Sequence, residues 1–421
     1  MSNSVPFLRY RDVADFRNGL NFSKNSHGKG CLIISVADFK DYLSPQWTSL
    51  GEINPFKVAK EDDYLKKGDI VFVRSNGNKK LVGRSLFIDR DVKSLFSGFC
   101  IRARLKTDDF HPLFLAYFSK TEHFKSSINS FAGTNINNLN QDILGDVKIP
   151  LYSKEIQKSI VDVLSSIDKK IALNNHINSE LEAMAKMFYD YWFVQFDFPD
   201  RNGKPYKSSG GKMVYNSILK REIPIGWVPG TLNDLGQIVG GSTPSKSNPE
   251  NFTLNGTSWI TPNDLSNNQG YKFISRGAQN VSEVGIKTTS LKKYPAGTVL
   301  LSSRAPIGYM AISINEVTTN QGFKSFIPTK GYSTEYVYYS VKKCIPIIEQ
   351  HASGSTFKEV SGSVLKDINI VLPDQTVTNA FTRIVTNIFR RQEKLELENK
   401  QLIKLRDWLL PMLMNGQITV R

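Results

Sequence analysis

A long stretch of helical periodicity at residues 154–192 recurs at 375–413, and this repeat limits the folds open to the chain. In the first copy, apolar or near-apolar layers fall at Ile156, Ile160, Val163, Ile167, Ile171, Asn174, Ile177, Leu181, Met184 and Phe188. In the second they fall at Val377, Phe381, Ile384, Ile388, Gln392, Leu395, Glu398, Leu402, Leu405 and Leu409. Val377 follows Ile156 by 221 residues, and Leu409 follows Phe188 by the same 221. Steps of three and four residues place the layers on one helix face, close to the 3.5 spacing of a coiled coil. The first stretch holds 39 residues, so as a helix it runs about 58 Å at 1.5 Å per residue. A stripe of that length outruns a small domain, and the economical cover for it is the second stripe.

The repeat extends upstream of the helices. DVKI at 146–149 matches DINI at 367–370, and Gly133-Thr134 matches Gly354-Ser355, all at an offset of 221. GDIV at 68–71 matches GTVL at 297–300 at 229, ISVAD at 34–38 matches ITPND at 260–264 at 226, and Gly19 matches Gly241 at 222. Constant register at the ends with drift in the middle fits two copies of one scaffold that differ in their recognition loops. The chain therefore divides into a globular domain at 1–152, a long helix at 153–195, a linker at 196–221 rich in Lys, Ser, Gly and Pro, a second globular domain at 222–373 and a second long helix at 374–421. Within the first domain, LKKGDIVFVRSNGNKKLVGRSLFI at 65–88 predicts two strands around an Asn76-Gly77 turn.

Lys plus Arg number 54 against 39 Asp plus Glu, a net charge of +15. Such a balance points to a polyanionic partner, nucleic acid first, with a merely solvated basic surface as the alternative. Cys31, Cys100 and Cys344 are far apart and form no CxxC pair. That predicts a reducing, cytoplasmic setting without structural zinc or disulfides. The opening MSNSVPFLRYRDV carries charge where a secretory signal needs an apolar stretch, and no run reaches the ~18 apolar residues of a membrane span.

The motifs of catalysis are not found. An amino-methyltransferase needs Asn or Asp followed by Pro-Pro and an aromatic residue to hold a flipped base. Neither that tetrapeptide, nor GxGxxG after a strand, nor a Walker loop occurs. Phe198-Pro199-Asp200 lies in the polar linker without a paired acid and lysine. His27, His111, His123, His176 and His351 form no i, i+4 metal-binding pair.

What remains suits binding. Arg74, Asn76, Lys79, Lys80 and Arg84 cluster around one predicted turn, where Lys and Arg could neutralise phosphates and Arg could grip guanine. Thr261, Asn263, Ser303, Arg304, Asn320 and Gln321 are polar groups in loops of the second domain, and Asn or Gln can pair with the major-groove edge of adenine. Thr134, Asn135, Ser355, Thr356 and Lys358 are candidates for phosphate contact. The plain alternatives are a basic hairpin and ordinary turn chemistry.

IPIGW at 223–227, GGSTPS at 240–245, WITPNDL at 259–265, SSRAPIG at 302–308, TNQGF at 319–323, GST at 354–356 and LRDWLLPMLMNGQI at 405–418 carry a resemblance. Two variable globular units, each followed by a long helix, resemble the DNA-specificity subunit of Type I restriction–modification enzymes. The first unit departs from the pattern: VRSNGNKK stands in place of SSRAPIG, and SGF at 97–99 in place of NQGF. The resemblance implies an α+β chain of two α/β target-recognition domains, joined by two long antiparallel coiled-coil helices in an internal pseudo-two-fold repeat. It implies no catalysis by the chain itself. Each domain would read one half of a bipartite site in double-stranded DNA, and the helices would fix the gap. The partners implied are two methyltransferase subunits, which bring S-adenosylmethionine, and restriction translocase subunits, which bring ATP and Mg²⁺. The competing readings are a single-chain methyltransferase or nuclease, and a coiled-coil scaffold with non-specific nucleic-acid affinity. Centred antiparallel pairing predicts facing layers whose numbers sum to about 565: Phe188 with Val377, Leu181 with Ile384, Ile160 with Leu405, Ile171 with Leu395, and Asn174 with Gln392.

Overall fold

The computed structural model describes residues 5–22, 26–40, 43–56, 58–131, 138–352 and 358–420. The chain forms two compact units, one of Met1–Ile171 with Gln401–Arg421, the other of Ala172–Lys400. Both long helices are present, at Lys154–Tyr189 and Gln375–Met414. The division between the units falls inside each helix.

Unit 1 contains strands β1 (Phe7–Arg9), β2 (Ala14–Asn18), β3 (His27–Ile34), β4 (Gly51–Ile53), β5 (Ile70–Val73), β6 (Ser85–Phe87), β7 (Ser94–Phe96), β8 (Cys100–Leu105) and β9 (Lys148–Pro150). They form the pair β1-β9, a sheet in the order β2-β8-β5-β6 and a smaller sheet β4-β3-β7. All four residues of β5, Ile-Val-Phe-Val, are buried. An unbroken apolar run of this kind marks a strand covered on both faces. The predicted hairpin is present, with Val71 opposite Leu86. Its connection, however, is the whole segment 74–84 and not a two-residue Asn-Gly turn. The polar run has no alternating apolar residues to extend the strands. Instead, Asn76 Oδ1 accepts the Asn78 amide (2.7 Å) and Asn78 Oδ1 accepts that of Lys80 (3.1 Å), which folds the run into turns.

After its helix segment, unit 2 has packed rings and paired strands in the stretch expected to be a linker. Phe198 stacks on Trp227 (5.0 Å between centroids) and on Tyr206 (4.6 Å), and β10 (Met213–Asn216) pairs with β11 (Arg221–Pro224). The aromatic residues outweigh the Lys, Ser and Gly around them, because each large ring buries far more surface than a turn residue can. There follow β12 (Val228–Thr231), β13 (Gln237–Val239), β14 (Phe252–Ile260), β15 (Phe273–Ile274), β16 (Gln279–Val281), β17 (Val299–Ser303), β18 (Ile307–Ser313), β19 (Val317–Thr319), β20 (Ser325–Ile327) and β21 (Asn369–Leu372). Their pairings are β12-β21, β13-β20-β17-β18-β15 and β16-β14-β19. Apart from β15 and the β10-β11 pair, this is the order of unit 1, strand for strand. The parallel pair β3/β7 recurs as β14/β19. The sequence repeat is therefore a repeat of topology.

Within unit 2 the two helix segments run antiparallel. Asn174 Nδ2 donates to Glu398 and Asn399 (both 2.9 Å), Asn178 to Glu396 (3.3 Å), and Gln392 to the Asn178 carbonyl (3.3 Å). Within unit 1, Arg406 donates to Asp168 (2.9 Å), and the Tyr152 hydroxyl donates to the Met414 carbonyl (3.1 Å). The centred register is not adopted. Asn174 meets Asn399, seven residues beyond its expected partner Gln392, a slip of two helical turns. Phe188–Val377 and Leu181–Ile384 shift with it, and Leu405 is exposed while its expected partner Ile160 is buried.

Polar groups explain the slip. Lys272, just before β15, is buried, with Nζ 2.5 Å from Glu182, 2.7 Å from Gln392 Oε1 and 3.8 Å from the centre of the Phe389 ring. The Lys272 and Phe273 amides both donate to Glu396 (2.9 Å). Buried charges require partners at their own level. Glu182, Gln392 and Glu396 must therefore surround Lys272, and the helices align to allow it. Burial lowers the Lys272 ammonium to about 8, with Glu182 opposing. Burial also acts against the Glu182 carboxylate, but Lys272 and Lys342 prevail and hold it at about 2.

Candidate nucleic-acid interface

Five polar segments of unit 2 are tied into one cluster by backbone hydrogen bonds. Ser242 donates to Thr319 (3.1 Å), Asn320 to Ile260 (3.2 Å), Ser303 to Gly322 (2.8 Å) and Val360 to Ser303 (3.0 Å), while Arg304 bridges Glu359. Side chains lock the segments further. The Thr261 amide and hydroxyl donate to Asp264 (2.8 and 2.5 Å), capping the short helix Pro262–Asn267. Asn320 Oδ1 accepts the Gly322 amide (2.9 Å), and the Thr243 hydroxyl donates to Gln321. Glu359 lies 3.6 Å from Arg304 and 3.7 Å from Lys324.

Unit 1 builds the same cluster, bond for bond. Leu20 donates to Phe96 (3.0 Å), Ser97 to Ile34 (2.9 Å), Arg74 to Phe99 (2.8 Å) and Leu139 to Arg74 (2.7 Å), while Ser75 bridges Asn138. The Ser35 amide and hydroxyl donate to Asp38 (2.7 and 2.8 Å), as Thr261 does to Asp264. The Phe99 amide donates to Ser97 Oγ (3.2 Å), as Gly322 does to Asn320. The frame is shared and the side chains differ. Asn21, Arg74, Ser75, Ser97, Phe99 and Asn138 stand where Thr243, Ser303, Arg304, Asn320, Gly322 and Glu359 stand in unit 2.

The residues singled out from sequence fall in several places. Arg74, Thr261, Arg304, Asn320 and Gln321 belong to the clusters, and Asn263 is an exposed residue of the short helix that Thr261 caps. Ser303 belongs by its backbone, but it is buried, and its hydroxyl has no hydrogen-bond partner among the described residues. Lys79, Lys80 and Lys358 are exposed beside the clusters. Asn76 is half-buried and serves the turn. Arg84 is also half-buried and donates to the Phe39 carbonyl (3.2 Å), a tie within the unit. Thr134, Asn135, Ser355 and Thr356 lie outside the described residues. Asn21, Ser97, Phe99, Asn138, Thr243 and Glu359 were not foreseen. Their signal is the offset of about 222 between the repeats, and not any motif.

Glycine makes the close approach possible. A Cβ on Gly241 would lie 1.9 Å from the Thr319 carbonyl oxygen, and one on Gly19 would lie 2.1 Å from that of Ser97. Gly241→Ala is expected to destabilise unit 2 by about 1–3 kcal/mol, the usual effect of overpacking. Gly77→Ala, with nothing within 4 Å of its Cβ, should stay within about 0.5 kcal/mol of the parent. Thermal melts of the two variants check this, and indistinguishable melts would contradict it.

These clusters offer hydrogen-bond donors and acceptors on a rigid backbone. Burial keeps the thiols protonated, raising Cys100 to about 12 and Cys344 to about 11. Among the described residues, no three His, Cys, Asp or Glu side chains are grouped to hold a metal ion, and no helix is long and apolar enough to cross a membrane. The arrangement suits recognition of a polar surface.

Known proteins share this organisation. Residues 5–183 and 224–405 each match the Type I restriction modification DNA specificity domain. The type I restriction enzyme HindI specificity subunit of Haemophilus influenzae is 30% identical over 410 residues, covering 84% of this chain and 87% of that one. The MjaIX specificity subunit of Methanocaldococcus jannaschii is 40% identical over 198 residues, 45% of each chain. Among solved structures, the S subunit of a type I restriction–modification system from M. genitalium aligns with a TM-score of 0.58 over 98% of this chain and 97% of that one. At 14% identity that likeness concerns the fold alone.

Proposed function

The chain belongs to the family of type I restriction–modification DNA specificity subunits, and from that premise we propose that each unit reads one half of a bipartite site in double-stranded DNA while the two long helices set the gap. The observation that carries this reading is the loop cluster built twice on one frame with two different sets of side chains. A single reader needs no second copy, and two identical readers need no divergence at Ser75/Arg304 or Asn138/Glu359. The net charge of +15 supplies the sequence-independent attraction to phosphates.

In this reading the chain acts in the cytoplasm and performs no chemistry. Two methyltransferase subunits would bring S-adenosylmethionine, and restriction translocase subunits would bring ATP and Mg²⁺. Methylation mapping by long-read sequencing, in a host carrying the whole system, should return a two-part site with a fixed gap. The purified chain alone should neither transfer a labelled methyl group nor cut DNA; turnover above background without a partner would overturn the reading. A scaffold with non-specific affinity would instead bind target and scrambled duplexes equally, and both would weaken steeply with salt.

A further inference from the structure

Phe99 is anomalous in its cluster. The residue is 58% exposed, although it lies in a loop of hydrogen-bonding groups. Its backbone is held firmly: the carbonyl accepts from the amides of Arg74 (2.8 Å) and Ser75 (3.3 Å), and its own amide donates to Ser97 (3.2 Å). The ring is therefore presented to solvent from a fixed platform. In unit 2 the same turn carries Gly322. A Cβ there would lie 2.9 Å from Pro262 Cγ and 3.1 Å from Asn320 Oδ1, so a side chain at that position would have to displace its neighbours. One unit projects a phenyl group where the other has a boxed-in glycine.

We propose that Phe99 is a specificity-determining residue of unit 1 that reads the C5-methyl group of a thymine in the major groove. This rests on the DNA-reading function proposed above. A phenyl ring cannot hydrogen-bond to a base edge. The apolar feature that a base pair shows in the major groove is the thymine methyl, and Phe is among the residues that contact it. A single ring among Arg74, Asn21 and Asn138 is no contiguous apolar patch of the kind that seats a protein partner. Unit 2, with Gly322, lacks this contact.

The test uses the assembled methyltransferase complex and its mapped target duplex. Each thymine of both half-sites is replaced singly by deoxyuridine, which removes only the methyl group. The parent complex should lose about fourfold in affinity at one thymine of one half-site, equivalent to ~0.8 kcal/mol for one buried methylene-sized group. With Phe99→Ala the thymine and uracil duplexes should bind alike at that position, while effects in the other half-site remain and the melting temperature is unchanged. A target whose unit 1 half contains no methyl-sensitive thymine would overturn the proposal. So would a methyl effect that persists in Phe99→Ala, or a variant that loses partner subunits and not DNA. If the parent complex failed to prefer its target over a scrambled duplex, the DNA-reading function itself would fail, and this inference with it.

Discussion

Replacing Glu182 with alanine is expected to destabilise unit 2 by about 3–5 kcal/mol, the usual result of stripping the partner from a buried charge. The Lys272 side chain is only 4% exposed, so the ammonium left behind cannot recover its hydration. Gln392, the Tyr339 hydroxyl and the face of Phe389 remain beside it without a charge, and the Glu396 carboxylate, held by the Lys272 and Phe273 amides, acts on the ammonium without an ion pair to it. Replacing the pair together, Glu182→Leu with Lys272→Met, should recover most of the loss, because no buried ammonium is then stranded and Lys342, the other partner of Glu182, is exposed enough to be hydrated. The acid response gives a separate signature. The Glu182 carboxyl sits at about 2 in the folded chain against an ordinary 4.5. Its contribution is therefore complete above pH 4.5 and drains away as pH falls from there toward 2. Burial raises the Glu396 carboxyl, so that group opposes the trend. Urea unfolding read by the tryptophans of unit 2, at neutral pH and near pH 3, should show a smaller acid loss in Glu182→Ala than in the parent. An equal loss in both would show that Lys272 does not hold Glu182 charged.

The helices were legible because a 3.5-residue period over many turns is hard to produce by chance. Their register was not. Asn399 and Glu396 lie off the stripe used to align the layers, and Lys272 comes from far along the chain. Which polar group needs which partner depends on where the globular part places its lysine, and periodicity carries no trace of that. The unit 2 cluster was partly legible because Thr261 and Asn320 sit beside Pro262 and Gly322, residues that announce turns. The unit 1 cluster was mostly hidden. Matching letters sets Phe99 against Phe323, yet the backbone hydrogen bonds set it against Gly322, one place earlier. That single step separates a core residue from an exposed one: Phe323 is fully buried. Arg84 shows a tie that the local sequence hides. A cation near a turn invites a reading as a phosphate contact, but its hydrogen bond to Phe39 was set by tertiary structure that the local sequence does not contain.

Inserting seven residues into each long helix is expected to abolish recognition of the original site and create a new one. The new site should keep both half-sequences and widen the gap. The insertions belong between Ile171 and Ala172 and between Lys400 and Gln401, where the chain divides into its two units. Placed there, they leave Asn174 with Asn399 and Glu182 with Lys272 on one side, and Asp168 with Arg406 on the other. A heptad preserves the apolar face, because seven residues turn a helix by about two full turns less ~20°. It lengthens the helix by about 10 Å, close to three base pairs at 3.4 Å each. Three base pairs also rotate the second half-site by roughly 100°, since a turn takes about 10 base pairs. The protein follows only a fraction of that rotation, so the new site should bind more weakly than the old one did. Methylation mapping with the variant reads the outcome. An unchanged gap would show that the helices do not measure it, and altered half-sequences would show that reading and measuring are not separate tasks in this chain.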